Sequence, residues 1–140
     1  MFEVKTTLQG QQINYLKEGK CVGHAVINVS LSKVTLQWIE VDEKCRCNGY
    51  ASDILMFIFK NMLKNYHGFR LTAVNENAHD FFYRFFIKFG VQKKDLMQWI
   101  DETDSGFEFN LPKGEITNLM NLVKENLDTN TPIQQAVKYF

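Results

Sequence analysis

The residues most suited to chemistry lie in one short stretch. After Val41 the chain runs through Asp42, Glu43, Lys44, Cys45, Arg46, Cys47, Asn48 and Gly49 to Tyr50, Ala51 and Ser52. A strand is expected to end at Val41 and a helix to begin near Ala51. The first turn of a helix carries N–H groups with no intrahelical partner, and its dipole puts partial positive charge there. Such an end binds anions, phosphates in particular. Gly49 lets the backbone approach a phosphate and adopt a positive φ. Arg46 adds a fixed positive charge and Ser52 a hydroxyl donor. On this physics alone an ordinary strand-to-helix turn explains the same residues. The glycine patterns of dinucleotide-binding and P-loop sites are absent from the sequence.

Few other side chains offer acid–base or metal chemistry. Glu40 and His24 are expected on strands, Glu76 just before a helix and Tyr83 on one. Each has a plain structural role available: a solvated carboxylate, a satisfied histidine, a charge at a helix start and a core aromatic. Cys45 and Cys47 form a C-x-C pair without a second pair of ligands, which is a weak metal signal, so no metal is expected. With Cys21 the thiols number three and cannot all pair within one chain. Cys47 at a helix entry would have a lowered pKa if it were exposed.

The elements that must position these residues are legible from periodicity. Phe2, Val4 and Thr6 alternate with charged neighbours, and Ile13 and Tyr15 continue the pattern. Val22 to Val29 and Val34 to Val41 are β-branched runs, with turns at Gly10, Gly19 and residues 30–33. Ala51, Ile54, Leu55, Ile58 and Met62 then follow helical spacing, with Lys60, Lys64 and His67 toward the end and Gly68 as a stop. Phe69 to Val74 reads as a strand. Asn77 is a good N-cap for a helix to Phe89 with Gly90 behind it. Gly106 to Leu111 reads as a strand, Glu115 to Leu127 as an amphipathic helix, and Thr131-Pro132 as the opening of a short last helix.

The length of 140 residues suits one domain with a real core. Residues 1–128 are assigned to it and 129–140 to a C-terminal extension that packs on the domain or on a dimer partner. Apolar residues make up 45%, which argues against disorder. Sixteen basic residues balance sixteen acidic ones with no basic block, so nucleic acid is not an expected partner. The N-terminus lacks a signal-peptide pattern and the apolar run from Ile54 to Phe59 is too short to span a bilayer. No membrane association and a cytoplasmic location are therefore expected. The element pattern is that of a single α+β domain.

Val41 followed by Arg46-Cys47-Asn48-Gly49-Tyr50-Ala51 resembles the R-x-x-G-x-G/A pyrophosphate loop of the GNAT acyltransferase superfamily. The next family landmarks recur in order over residues 22–91: an aliphatic helix, a strand, and an Asn-led helix closed by Gly90. The resemblance implies a mixed, twisted sheet splayed between its fourth and fifth strands to admit the pantetheine arm of coenzyme A. It implies that acetyl-CoA donates an acyl group, acetyl by default, directly to an amine. By resemblance the main chain of Ile39 and Val41 pairs with pantetheine, the amides from Cys47 to Ser52 hold the pyrophosphate, and Asn77 lies near the pantetheine arm.

Two departures stand out. The family has Gly where this chain has Cys47. It also places two helices between its first two strands, and residues 6–12 are too short for them. That leaves a wide acceptor mouth, either open to an extended acceptor such as a protein segment or a polyamine-like chain or, the favoured reading, closed by the segment from Glu115 to Phe140 in the same chain or across a dimer. Ile116, Leu119, Leu122, Leu127, Tyr139 and Phe140 supply its apolar positions.

Attack on a thioester needs a neutral amine, which at neutral pH lies roughly 4 kcal/mol above the protonated form. In the family, bases on the fourth strand project from the face shared here by Thr35, Gln37 and Ile39, none of which titrates. Simple alternation puts Glu40 on the other face. The family's acid is a Tyr on the Asn-led helix; counted forward from Asn77 the expected position lies one residue beyond Tyr83, and counted back from Gly90 it is Phe86, one turn from Tyr83 on the same side. The alternatives are a GNAT-fold module that binds coenzyme A or a protein without catalysis, and, less favoured, a nucleotide-binding domain.

Overall fold

The computed structural model describes residues 1–8, 10–30, 33–46, 48–63, 68–73, 76–104, 106–112, 114–115, 117–119 and 121, and the structural statements below concern those residues. Four antiparallel strands come first: β1 (Phe2–Thr7), β2 (Gly10–Lys17), β3 (Lys20–Ser30) and β4 (Lys33–Val41). A short 3-10 turn (Glu43–Cys45) leads to helix α1 (Tyr50–Asn61), strand β5 (Gly68–Ala73) and helix α2 (Glu76–Lys88). Helix α3 (Lys93–Trp99) and the hairpin of β6 (Ile100–Thr103) and β7 (Gly106–Pro112) follow. The seven strands form one sheet in the order β1-β2-β3-β4-β5-β7-β6, with β4 and β5 parallel.

Period-two patterning makes the sheet one-sided. Ile13, Ala25, Ile27, Leu36, Leu71 and Phe109 occupy one face and are at most 2% exposed. They pack beneath Ile54, Leu55, Ile58 and Phe59 of α1 and the Phe ladder of α2, in one continuous core. Phe59 joins the layers, lying 5.2 Å from Phe69 on β5 and 6.1 Å from both Phe85 and Phe86 on α2. The opposite face is polar: Gln12, His24, Trp38, Glu40, Arg70 and Glu108 lie there, half-buried or exposed. Arg70 pairs with Glu108 at 3.1 Å across β5 and β7.

Several boundaries differ from the sequence reading. Helix α1 ends at Asn61 with Met62 as its C-cap, so Gly68 opens β5 instead of stopping the helix. Helix α2 begins at Glu76, which places Asn77 in its first turn and not at the cap. Gly90 does end α2. At φ 92° it lets Val91 N–H reach Phe86 C=O and its own N–H reach Ile87 C=O, a glycine-terminated helix end. Helix α3 and strand β6 had no assigned counterpart in the sequence. Residues 114–115, 117–119 and 121 are helical, with Leu119 fully buried. Val74, Ile116, the remainder of the expected helix with Leu122 and Leu127, and the extension with Tyr139 and Phe140 lie outside the described residues, as do Lys64, His67 and Cys47. No described helix is long and apolar enough to cross a membrane.

Candidate functional site

The sheet opens where β4 leaves β5. Their parallel pairing runs from Lys33 with Gly68 to Leu36 with Leu71, and there it stops. Beyond it, β4 continues to Val41 paired with β3 alone, while Thr72 and Ala73 of β5 pair with β7. The cleft therefore has one wall made by Gln37–Val41 and another by the end of β5. An unpaired strand edge presents main-chain donors and acceptors to whatever enters.

A β-bulge sits at the point of divergence. Ile27 of β3 faces Leu36, but the next residue, Val26, faces Trp38, so Gln37 is the extra residue on β4. The bulge shifts the alternation by one. Ile39 and Val41 then share the helix-covered face with Leu36, while Trp38 and Glu40 join Thr35 on the polar face. This corrects the simple alternation, which placed Ile39 with Thr35 and set Glu40 opposite. The apolar spacing Val34, Leu36, Ile39, Val41 contained the signal: one step of three where a regular strand steps by two.

The loop that follows β4 is braced by its own polar groups. Asp42 N–H donates to Val22 C=O, and the Asp42 carboxylate accepts from Lys44 N–H at 3.3 Å. Arg46 Nε donates to Val41 C=O at 3.3 Å, which ties its guanidinium to the end of β4. Asn48 Nδ2 donates to Cys45 C=O at 3.0 Å. Gly49 caps α1 in the left-handed region, φ 79°, and offers the helix start no side-chain hydrogen bond of its own. A Ser, Thr or Asp there would cover N–H groups of the first turn with its own oxygen. A glycine supplies no such oxygen; of the turn that follows, Tyr50 is half-buried and Ala51 and Ser52 are buried.

The first turn of α1 is locked to the sheet by a second contact that the sequence reading missed. Tyr15 O–H donates to Asp53 Oδ2 at 2.8 Å. Burial, then the Asp53 contact, raises the Tyr15 phenol well above its ordinary range. Burial also raises Asp53, opposed by the Tyr15 bond, by Lys17 and by the N-terminal ammonium. Lys17 Nζ lies 5.1 Å from the Tyr15 ring centre and 5.7 Å from that of Tyr50.

The groups suggested for proton transfer are not joined by any described contact. Glu40 is exposed, accepts from Trp38 Nε1–H at 3.2 Å, and stands opposite His24 in the β3–β4 register. Tyr83 is half-buried on α2, its ring 6.1 Å from His79, which in turn lies against Phe107 and Phe109 of β7. Phe86, the alternative position for the family's Tyr, is fully buried in the core. Asn77 is exposed in the first turn of α2. Among the described residues no group of three His, Cys, Asp or Glu side chains is placed to hold a metal ion.

No protein family and no curated protein matches the chain at the level of sequence. Solved structures do match. The PaiA N-acetyltransferase from Thermoplasma acidophilum, in complex with coenzyme A, superposes with a TM-score of 0.55 at 16% identity, over 72% of this chain and 59% of that one. The ribosomal-protein-S18-alanine N-acetyltransferase from Escherichia coli gives 0.54 at 18% identity, over 73% and 68%. A GNAT family acetyltransferase from Elizabethkingia anophelis with acetyl-CoA bound gives 0.53 at 15%, over 74% and 76%. The chain spans less than two thirds of the Thermoplasma protein's length. In strand order, in the parting of β4 from β5 and in these superpositions, the chain has the GNAT acyl-CoA N-acyltransferase fold.

Proposed function

We propose that the protein binds an acyl-coenzyme A, acetyl-CoA by default, in the β4–β5 cleft and transfers the acyl group to an amine. The observation that carries this is the coincidence of two features on one strand. β4 parts from β5 at Leu36, ends five residues later at Val41, and the loop behind it leads to a helix start headed by a bare glycine. An extended pantetheine chain fits the first and a pyrophosphate the second. In this reading the main chain of Ile39 and Val41 pairs with the arm. The amides of Cys47, Asn48, Gly49, Tyr50, Ala51 and Ser52, with the Arg46 guanidinium, hold the phosphates. Asn77 borders the arm from α2.

The reaction joins the amine nitrogen to the thioester carbonyl carbon and releases the sulfur as thiolate. A proton must leave the amine and another must reach the sulfur. Glu40, with His24 across the strand pair, is the proton acceptor on the face the bulge gives it. Tyr83 is the candidate donor to the thiolate. Its stacking on His79 over β7 supports a packing role equally well, and kcat of Tyr83→Phe separates the two.

A second reading has a specific observation behind it: Glu40 and Tyr83 share no described contact, as befits a coenzyme A-binding module without turnover. The deciding experiment pairs calorimetry of acetyl-CoA binding with release of free thiol in the presence of a panel of amines. Binding with amine-dependent thiol release supports transfer, binding alone supports the module, and no binding at saturating acetyl-CoA refutes both.

A further inference from the structure

We infer that Trp38 and Glu40 form a cation subsite that selects aliphatic, positively charged amines as acceptors. The inference rests on the proposed acyl transfer and names the class of acceptor at that same cleft. Trp38 is 51% exposed, an unusual position for the largest apolar side chain on a strand. The bulge at Gln37 turns it and Glu40 onto the polar face of the cleft-lining end of β4. Its indole is not free to swing, because Nε1–H donates to Glu40 Oε2 at 3.2 Å. That bond holds a carboxylate beside an aromatic ring, two groups that both attract an ammonium ion.

The surroundings leave this charge available. Among the described residues Glu40 makes no ion pair with a Lys or Arg, and its cross-strand neighbour is His24. Next to it, Trp38 faces Val26 across the strands, so the platform has an apolar floor suited to the methylenes of an alkylamine. A neutral arylamine or an alcohol would leave the carboxylate without a counter-charge.

The test uses tetramethylammonium, which carries the charge but cannot be acylated, and tert-butanol, its neutral analogue in shape. Trp38 fluorescence is read in a Trp99→Phe background, and again as the difference between wild type and Trp38→Phe, which leaves Trp99 untouched. A saturable response to tetramethylammonium is expected, about two- to five-fold weaker with tert-butanol. Glu40→Gln should weaken tetramethylammonium by about two- to five-fold. Equal responses to both probes, or a response matched by sodium chloride, overturn the subsite. Acetyl-CoA affinity of the same variants, measured by calorimetry, should be unchanged. Failure of acetyl-CoA to bind would refute the proposed function while leaving the fluorescence result to judge the subsite separately.

Discussion

Gly49→Asp separates the stability of the loop from its capacity to bind an anion. Gly49 holds φ 79° and ψ 11° at the start of α1. A side chain in the left-handed region costs about 1 to 2 kcal/mol, less for Asp or Asn than for most residues. A carboxylate at a helix start returns about 0.3 to 1 kcal/mol through the dipole. The net loss is therefore about 1 kcal/mol, or roughly 3 to 5 °C in Tm for a domain of this size. Ligand linkage is larger. Acetyl-CoA at about a hundred times its Kd adds about 2.7 kcal/mol, which raises Tm by roughly 10 °C. In Gly49→Asp the carboxylate occupies the place of the pyrophosphate, and this rise should vanish. Gly49→Asn carries the same backbone demand without the charge and should keep a measurable part of it. The assay is thermal melting of the three proteins with and without saturating acetyl-CoA. A Gly49→Asp protein that melts lower but still gains the full ligand shift would refute the assignment of this loop to phosphate.

Tyr83→Phe should lower kcat by roughly ten- to a thousand-fold with little change in acetyl-CoA affinity, and an unchanged kcat would leave Tyr83 as packing for His79. Asp53 has a folded-state pKa raised above its ordinary 3.8, so the native state keeps its proton where the unfolded chain has lost it. The stability this contributes is fully present below the unfolded value and is lost as pH rises through the folded one. Asp53→Asn should therefore be more stable relative to wild type near neutral pH than in acid. Urea midpoints that differ equally at both pH values would contradict the buried carboxylate. Gly23→Ala places a methyl 2.9 Å from the Glu40 carbonyl oxygen and 3.1 Å from Ile54 Cδ1, and should cost about 1 to 3 kcal/mol in urea unfolding. An unchanged midpoint would mean that α1 is not seated on β3 as described.

Much of the scaffold was legible because one-sided burial writes itself into sequence. The first four strands, α1, α2 and β7 carry a period of two or nearly four over most of their length, broken in β4 at Gln37, and apart from the end of α1 their limits were found to within a few residues. The loop from Arg46 to Ser52 was visible for a related reason, since a strand, a glycine and a helix start are all local signals. Helix α3 and β6 escaped because they are short, with only Leu96 fully buried between them, so no face is marked. The placement of Glu40 was misjudged for a different reason. Alternation is a local rule, and one inserted residue, Gln37, reverses it for everything downstream. The Tyr15–Asp53 contact joins residues far apart in sequence and leaves no trace in either neighbourhood.

The bulge at Gln37 also shapes how this chain can vary by inheritance. Point substitutions at Trp38 or Glu40 change one surface group and leave Ile39 and Val41 in the core. Loss of the Gln37 codon would remove only the extra residue and leave Leu36, Ile39 and Val41 on one face with Trp38 and Glu40 on the other. Gain of a codon there is a different event: it would turn Ile39 and Val41 to solvent and drive Glu40 into the apolar layer, damaging core and cleft together. Lineages that keep the fold are thus free to retune the polar face of β4 residue by residue, and even to lose Gln37, but not to lengthen the strand there. In a library of single-residue insertions and deletions, loss of Gln37 should be far better tolerated than insertion of a residue between Leu36 and Ile39.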